Sequence, residues 1–138
     1  MKKNKKRKPL LPELTIEERD ILLPILIQAL KLKTNDMKHI KGRELVDWFR
    51  LKKDAIGYKR AFNNQRLMKL INYIRAYGLT ALCASNDGYW ITRDEDEIEW
   101  MIESFEGRVE SQLAAIKGLR GILVEIRLER EIGLFEML

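Results

Sequence analysis

The chain has 138 residues, of which 46% are apolar and 34% charged, a composition typical of one soluble globular domain with an extension. No run of eighteen or more uncharged apolar residues occurs, so the sequence predicts neither a membrane span nor a signal peptide, and we expect a cytoplasmic protein. The net charge of +5 is uneven, because residues 31–75 hold thirteen basic and four acidic residues (+9), whereas residues 94–138 hold five basic and twelve acidic residues (−7).

The N-terminal segment is a block of like charge. Six basic side chains lie between Lys2 and Lys8, and Pro9 and Pro12 follow them. Such a block cannot bury apolar surface. Residues 1–14 are therefore predicted to form a basic disordered arm, which contacts DNA phosphates or serves only as a solubility or localisation tail.

The first predicted helix covers residues 15–33. Thr15 and Glu18 have the spacing of a capping box, and apolar residues then recur at helical intervals. Pro24 conflicts with this prediction, because an interior proline costs about 3 kcal/mol. The helix is therefore expected to be kinked there or to begin later. Ile40 is a candidate for a short strand.

Two further helices are predicted in the basic segment. The second covers residues 42–51, and the third covers residues 63–77, with Asn63 or Asn64 as its cap and Gly78 at its end. On a helical wheel, one face of the third helix is apolar and predicted to be buried, with Leu67, Leu70, Ile71, Ile74 and Tyr77. The polar side chains opposite this face, or on its shoulders, are Gln65, Arg66, Lys69, Asn72 and Tyr73.

Two short β-prone runs, Thr80 to Ala84 and Tyr89 to Thr92, follow the third helix. The residues between them, from Ser85 to Gly88, suit a tight hairpin turn. Helix, short strand, helix, turn, helix and hairpin, in this order, are typical of a winged helix-turn-helix. We therefore predict a mainly α protein in which residues 15–93 form three helices and a β-hairpin, followed by a long C-terminal helix.

Three stretches of the sequence, Ile40–Leu45, Asn64–Arg75 and Ser85–Ile91, resemble the small winged helix-turn-helix proteins of bacterial phages and prophages. The resemblance covers roughly residues 15–115. It implies that the third helix reads DNA and that a long helix follows the wing. The wing tip departs from the pattern, since it carries Asp87 and no lysine or arginine.

The third helix and its surroundings combine side chains that pair with base edges and cations that pair with phosphates. These residues predict a non-enzymatic protein that binds double-stranded DNA, in transcriptional control or phage DNA metabolism. The alternatives are a merely solvated helix face, or a winged helix that docks proteins in a replication or host-takeover complex. The candidate DNA-binding residues are Lys52, Lys53, Lys59, Arg60, Asn64, Gln65, Arg66, Lys69, Asn72 and Tyr73.

Catalytic and metal-binding patterns are not indicated. His39 is the only histidine and has no cysteine near it, and the acidic run from Asp94 to Glu99 is expected in the first turn of a helix. Cys83 cannot form an internal disulfide and stands in an apolar run, so a small buried strand residue is expected. We predict no enzyme activity, no metal and no cofactor.

The C-terminal helix is predicted over residues 94–130. Apolar residues recur there in steps of three and four, interrupted once by Gln112, and this seam either folds back on the domain or pairs two copies as a homodimer. Residues 131–138 form an apolar tail that resembles the Leu-Phe peptides of replication proteins that dock on the sliding clamp, although a hydrophobic helix end explains it equally well. The predicted dimer residues are Ile102, Phe105, Val109, Ile116, Leu119, Leu123 and Ile126.

Overall fold

The computed structural model describes residues 11–35 and 39–137. The predicted contacts of the basic residues at positions 2–8 lie outside the described residues. The described chain is mainly helical with one antiparallel hairpin. Its elements are α1 (Leu23–Asn35), α2 (Gly42–Ile56), α3 (Asn64–Ala76), β1 (Leu82–Ser85), β2 (Gly88–Ile91) and α4 (Glu95–Glu136), and a π-helical segment (Glu18–Leu22) leads directly into α1.

The first helix begins at the predicted capping box and accommodates its proline. The Glu18 amide donates to Thr15 Oγ1 over 3.1 Å, and the Thr15 amide donates to Glu18 Oε1 over 2.8 Å. The Leu23 amide donates to the Glu18 carbonyl, five residues back, which is the hydrogen bond of a π-turn. This wider turn ends immediately before Pro24, which has no amide proton to donate.

Caps define the ends of the next two helices. The predicted end of α2 near residue 51 is wrong, because the helix continues to Ile56 and stops at Gly57, which has a positive φ of 81°. The Tyr58 amide donates to the Lys53 carbonyl, as in a Schellman motif. The prediction for α3 is correct to within one residue at each end, and Asn63 is its cap, with Oδ1 accepting from the Arg66 amide.

The hairpin pairs β1 with β2 from Leu82 opposite Ile91 to Ser85 opposite Gly88. Ile40 forms an isolated antiparallel bridge with Tyr89, with amide-to-carbonyl distances of 3.0 and 2.8 Å. The candidate strand at Ile40 is therefore a single bridge that extends the hairpin by one position on the side of β2.

One apolar core joins the first three helices to the hairpin. Leu26 and Leu30 of α1, Phe49 of α2, and Leu70 and Ile74 of α3 are all fully buried. The buried face of α3 is thus the predicted one, except that Tyr77 follows the helix as its C-cap and is 45% exposed. This packing leaves the opposite side of α3 at the surface.

The last helix, α4, extends six residues beyond its predicted end at residue 130, so most of the predicted apolar tail is helical. The described residues divide into two compact units, one that ends at Ile98 and one that begins at Glu99. Helical glycines at positions 107, 118 and 121 each cost about 1 kcal/mol relative to alanine. Within the described ranges, no helix has the length and apolarity needed to cross a membrane.

Candidate nucleic-acid interface

The outer face of α3 carries a row of amide side chains. Asn64, Gln65 and Asn72 are exposed, and Gln65 and Asn72 are seven residues apart, so both project from the same side of the helix. Lys69 lies between them and is 40% exposed at its side chain. These four side chains therefore form a strip about two helical turns long, which we call the amide strip.

Two predicted DNA-binding cations of α3 bind a carboxylate of the same chain. Glu18 is fully buried, and its two oxygens accept from Arg66 Nη1 at 2.7 Å and from Lys69 Nζ at 2.8 Å. Both cations come from consecutive turns of α3, whereas Glu18 lies in the first turn of the first helix. We call these three residues the Glu18 triad.

The side chain of Arg66 is fixed by contacts with other parts of the protein. Its Nε donates to the Ala61 carbonyl at 3.0 Å, and its guanidinium lies 5.4 Å from the centre of the Tyr58 ring. Its side chain is only 21% exposed. The sequence placed Arg66 on a DNA-facing shoulder, but the structure shows that its polar atoms connect α3 to the preceding turn and to Glu18.

The electrostatics of the triad favour the charged form of Glu18. Burial alone raises the pKa of this carboxyl group. The hydrogen bonds from Lys69 and from the amide and hydroxyl of Thr15 together lower the pKa by more than burial raises it, and the result is a pKa of about 2. Glu18 is therefore ionised at neutral pH and neutralises part of the positive charge of α3. Sequence reasoning missed this role, because the capping box indicates only where a helix begins.

The predicted cations outside α3 are mostly free at the surface. Lys52, Lys59 and Arg60 are exposed, whereas Lys53 is half-buried, with Nζ donating to the Arg60 carbonyl at 3.3 Å. All four lie at the end of α2 or in the connection that leads to α3. Together they form a basic region next to the start of α3 in the chain.

Tyr73, the remaining predicted site residue, lies half-buried on the flank of α3. Its ring packs 4.4 Å from that of Tyr77. This contact with a neighbouring aromatic side chain gives Tyr73 a packing role, and only part of its surface remains accessible to a ligand.

A groove of about 690 Å³ runs along the amide strip. One wall consists of residues 11–13, and the other is α3, with Asn64, Gln65, Met68, Lys69 and Asn72. In the sequence, six basic residues at positions 2–8 precede this wall, separated from it by Pro9 and Leu10. The sequence did not predict that residues 11–13 would lie beside α3.

The histidine and the cysteine have packing roles. His39 stacks on Trp90 with ring centres 4.2 Å apart, and Trp90 Nε1 donates to Glu97 Oε2. Cys83 is buried in β1, as predicted, and burial raises the pKa of its thiol, which disfavours the reactive thiolate. No group of three potential metal ligands is found among residues 11–35 and 39–137.

Comparison of the chain with protein-family models, with curated proteins and with solved structures gives no match.

Proposed function

We propose that residues 15–93 form a winged helix-turn-helix that binds double-stranded DNA through the amide strip of α3. The order of helices, bridge and hairpin supports the fold, with Ile40 adding to the hairpin beside Tyr89. In such a fold the last helix before the wing enters the major groove. The observation that carries the proposal is that α3 holds Asn64, Gln65 and Asn72 exposed on one side.

The chemistry of the strip suits base recognition. An Asn or Gln amide can donate to and accept from one adenine edge at the same time, and each such pair discriminates by about 1–3 kcal/mol. Gln65 and Asn72 are separated by seven rises of about 1.5 Å each, or roughly 10 Å along the helix. The two amides would therefore contact different base pairs of the same groove.

Phosphate contacts are assigned to cations outside the Glu18 triad. Lys52, Lys59 and Arg60 are exposed and have no acidic residue beside them in the sequence except Asp54. Cations of this kind position a protein on the duplex without reading its sequence. Lys69 contributes at most partly, because its ammonium group already binds Glu18.

The proposal is tested by titrating the full chain with duplex DNA at two salt concentrations. A DNA-binding protein shows a steep fall in affinity with salt, by about one unit of slope for each phosphate contact. We expect the double variant Gln65→Ala, Asn72→Ala to lose discrimination between duplexes and to keep most of the salt slope. Gln28→Ala is the matched control, since Gln28 is an exposed amide on α1.

The outcomes are distinct. Unchanged discrimination in the double variant would remove the amide strip from the interface. Absence of salt-dependent binding by the intact chain would contradict DNA binding altogether.

A second candidate is a protein-docking winged helix, and one observation favours it. Residues 11–13 form a wall beside α3, and Glu18 neutralises part of its charge, so the helix face is less open and less basic than the sequence predicted. A docking module tolerates such cover, whereas DNA binding requires access to the bases. A titration in which the intact chain shows no salt-dependent affinity for duplex DNA would favour this candidate.

A further inference from the structure

The second unit of the chain exposes an apolar row. We call this row the seam of α4. Six of its side chains are between 43% and 66% exposed, namely Ile102, Val109, Ile116, Leu119, Leu123 and Ile126. Phe105 and Gln112 complete the eight positions. The seam spans 25 residues, from Ile102 to Ile126, or about 36 Å of helix. Leu113, Ile122, Val124 and Leu128 are also exposed, outside the row. A continuous apolar row of this length is typical of an interface between helices.

The charge of α4 changes along its length. Residues 95–110 include seven acidic side chains and one basic side chain, whereas residues 111–130 include four basic and two acidic side chains. Two copies that lay side by side in the same direction would place the acidic halves together. Two copies in opposite directions, with position 102 opposite position 126, would place residues 95–110 against residues 118–133, whose three basic and three acidic side chains cancel.

We propose that a second copy of this chain covers the seam, and that the two α4 helices pair antiparallel with Ile102 of each opposite Ile126 of the other. This inference does not rest on DNA binding. The register centres the pair between Leu113 and Ala115, so a two-fold axis crosses the middle of the seam. The other layers are Phe105 with Leu123, Val109 with Leu119, and Gln112 with Ile116.

The edges of the seam support this direction. In the antiparallel register, the Glu106 position falls between Arg120 and Arg127 of the second copy, and the same contacts recur on the other side of the axis. In a parallel pair, the standard edge contacts place Arg108 against Leu113, and Arg127 against Ile122. Only the antiparallel pair therefore brings these opposite charges together along one edge.

The direction is tested with single cysteine substitutions in the full chain. Ile102→Cys and Ile126→Cys proteins are mixed and oxidised, with wild type as the control for Cys83, which is buried. The antiparallel register predicts disulfides between the two different variants. Disulfides within each variant would show a parallel pair and overturn the proposal.

Charge variants provide a second test by sedimentation equilibrium. We expect wild type to be a dimer of 16.3 kDa chains at tens of micromolar. Glu106→Lys should weaken the dimer about tenfold, because an attraction becomes a repulsion at two equivalent sites. Adding Arg120→Glu and Arg127→Glu should restore it.

Glu103→Lys is the matched control, because it makes the same charge change at an exposed position outside the seam and outside the groove that Glu106 lines with Ile102, Phe105 and Val109. Equal loss in both lysine variants would overturn the register. A wild-type chain that is a monomer would overturn the dimer proposal, even if another protein covers the seam.

Discussion

Glu18 joins the start of the first helix to α3 through two ion pairs that have a buried carboxylate in common. Removing a carboxylate from water is costly, and the cost is offset here by hydrogen bonds that its oxygens accept from Arg66, Lys69 and the Thr15 amide. The arrangement is therefore sensitive to loss of any one partner. Arg66 acts in this triad as a structural side chain.

Replacing Arg66 with alanine should lower the free energy of unfolding by about 3 kcal/mol, because the buried carboxylate loses a partner. The variant also lacks the hydrogen bond that Arg66 donates to the Ala61 carbonyl. Urea denaturation of the intact chain measures the change. Arg19→Ala is the control, since the Arg19 pair with Asp20 is exposed and should contribute less than about 1 kcal/mol. Equal stability of both variants would show that the triad is not structural.

The stability of the first unit should fall in acid because of Glu18. The folded pKa of Glu18 is about 2, below its ordinary value of 4.5, so its contribution is complete above pH 4.5 and is lost as the pH falls toward 2. The difference between these pKa values corresponds to about 3 kcal/mol as an upper limit. Urea midpoints measured between pH 7 and pH 2 should decline less in Glu18→Gln than in wild type. Parallel declines would assign acid sensitivity to other groups.

At the scale of elements, the contact of the hairpin with the segment before α2 depends on one glycine. Gly88 has a φ of +125°, and a Cβ atom there would lie 2.5 Å from the Ile40 carbonyl oxygen and 2.9 Å from the Lys41 amide nitrogen. All these neighbouring atoms belong to backbone. The bridge between Ile40 and Tyr89 therefore requires a residue without a side chain at position 88.

Gly88→Ala should destabilise the protein by about 2 kcal/mol or more, since the strained φ and the backbone clash add. Gly78→Ala is the matched control, because its φ is +61° but no atom lies within 4 Å of the added Cβ, so only the conformational cost of about 1 kcal/mol remains. Thermal denaturation of both variants measures the difference. A cost for Gly88→Ala no larger than that of Gly78→Ala would mean that the bridge shifts without loss.

Helix limits were predictable where a local signal sets them. Asn63 caps α3 through the Arg66 amide, and Thr15 and Glu18 form the predicted box, because both contacts join residues three apart. The end of α2 was predicted too early, although Gly57 was visible in the sequence. The π-turn before Pro24 was not predicted, because a proline in a helix can be accommodated in more than one way.

At the scale of the molecule, the sequence alone determined the order of the elements, the buried face of α3 and the acidic charge of the first half of α4. These properties follow from residue spacing and charge count, which do not depend on distant contacts. The tertiary structure alone decided what the cations of α3 bind. Glu18 reaches Arg66 across 48 positions of the chain, and residues 11–13 come to lie beside the same helix. Such contacts depend on how the core packs helices against each other, and no local pattern encodes which charged residues that packing brings together.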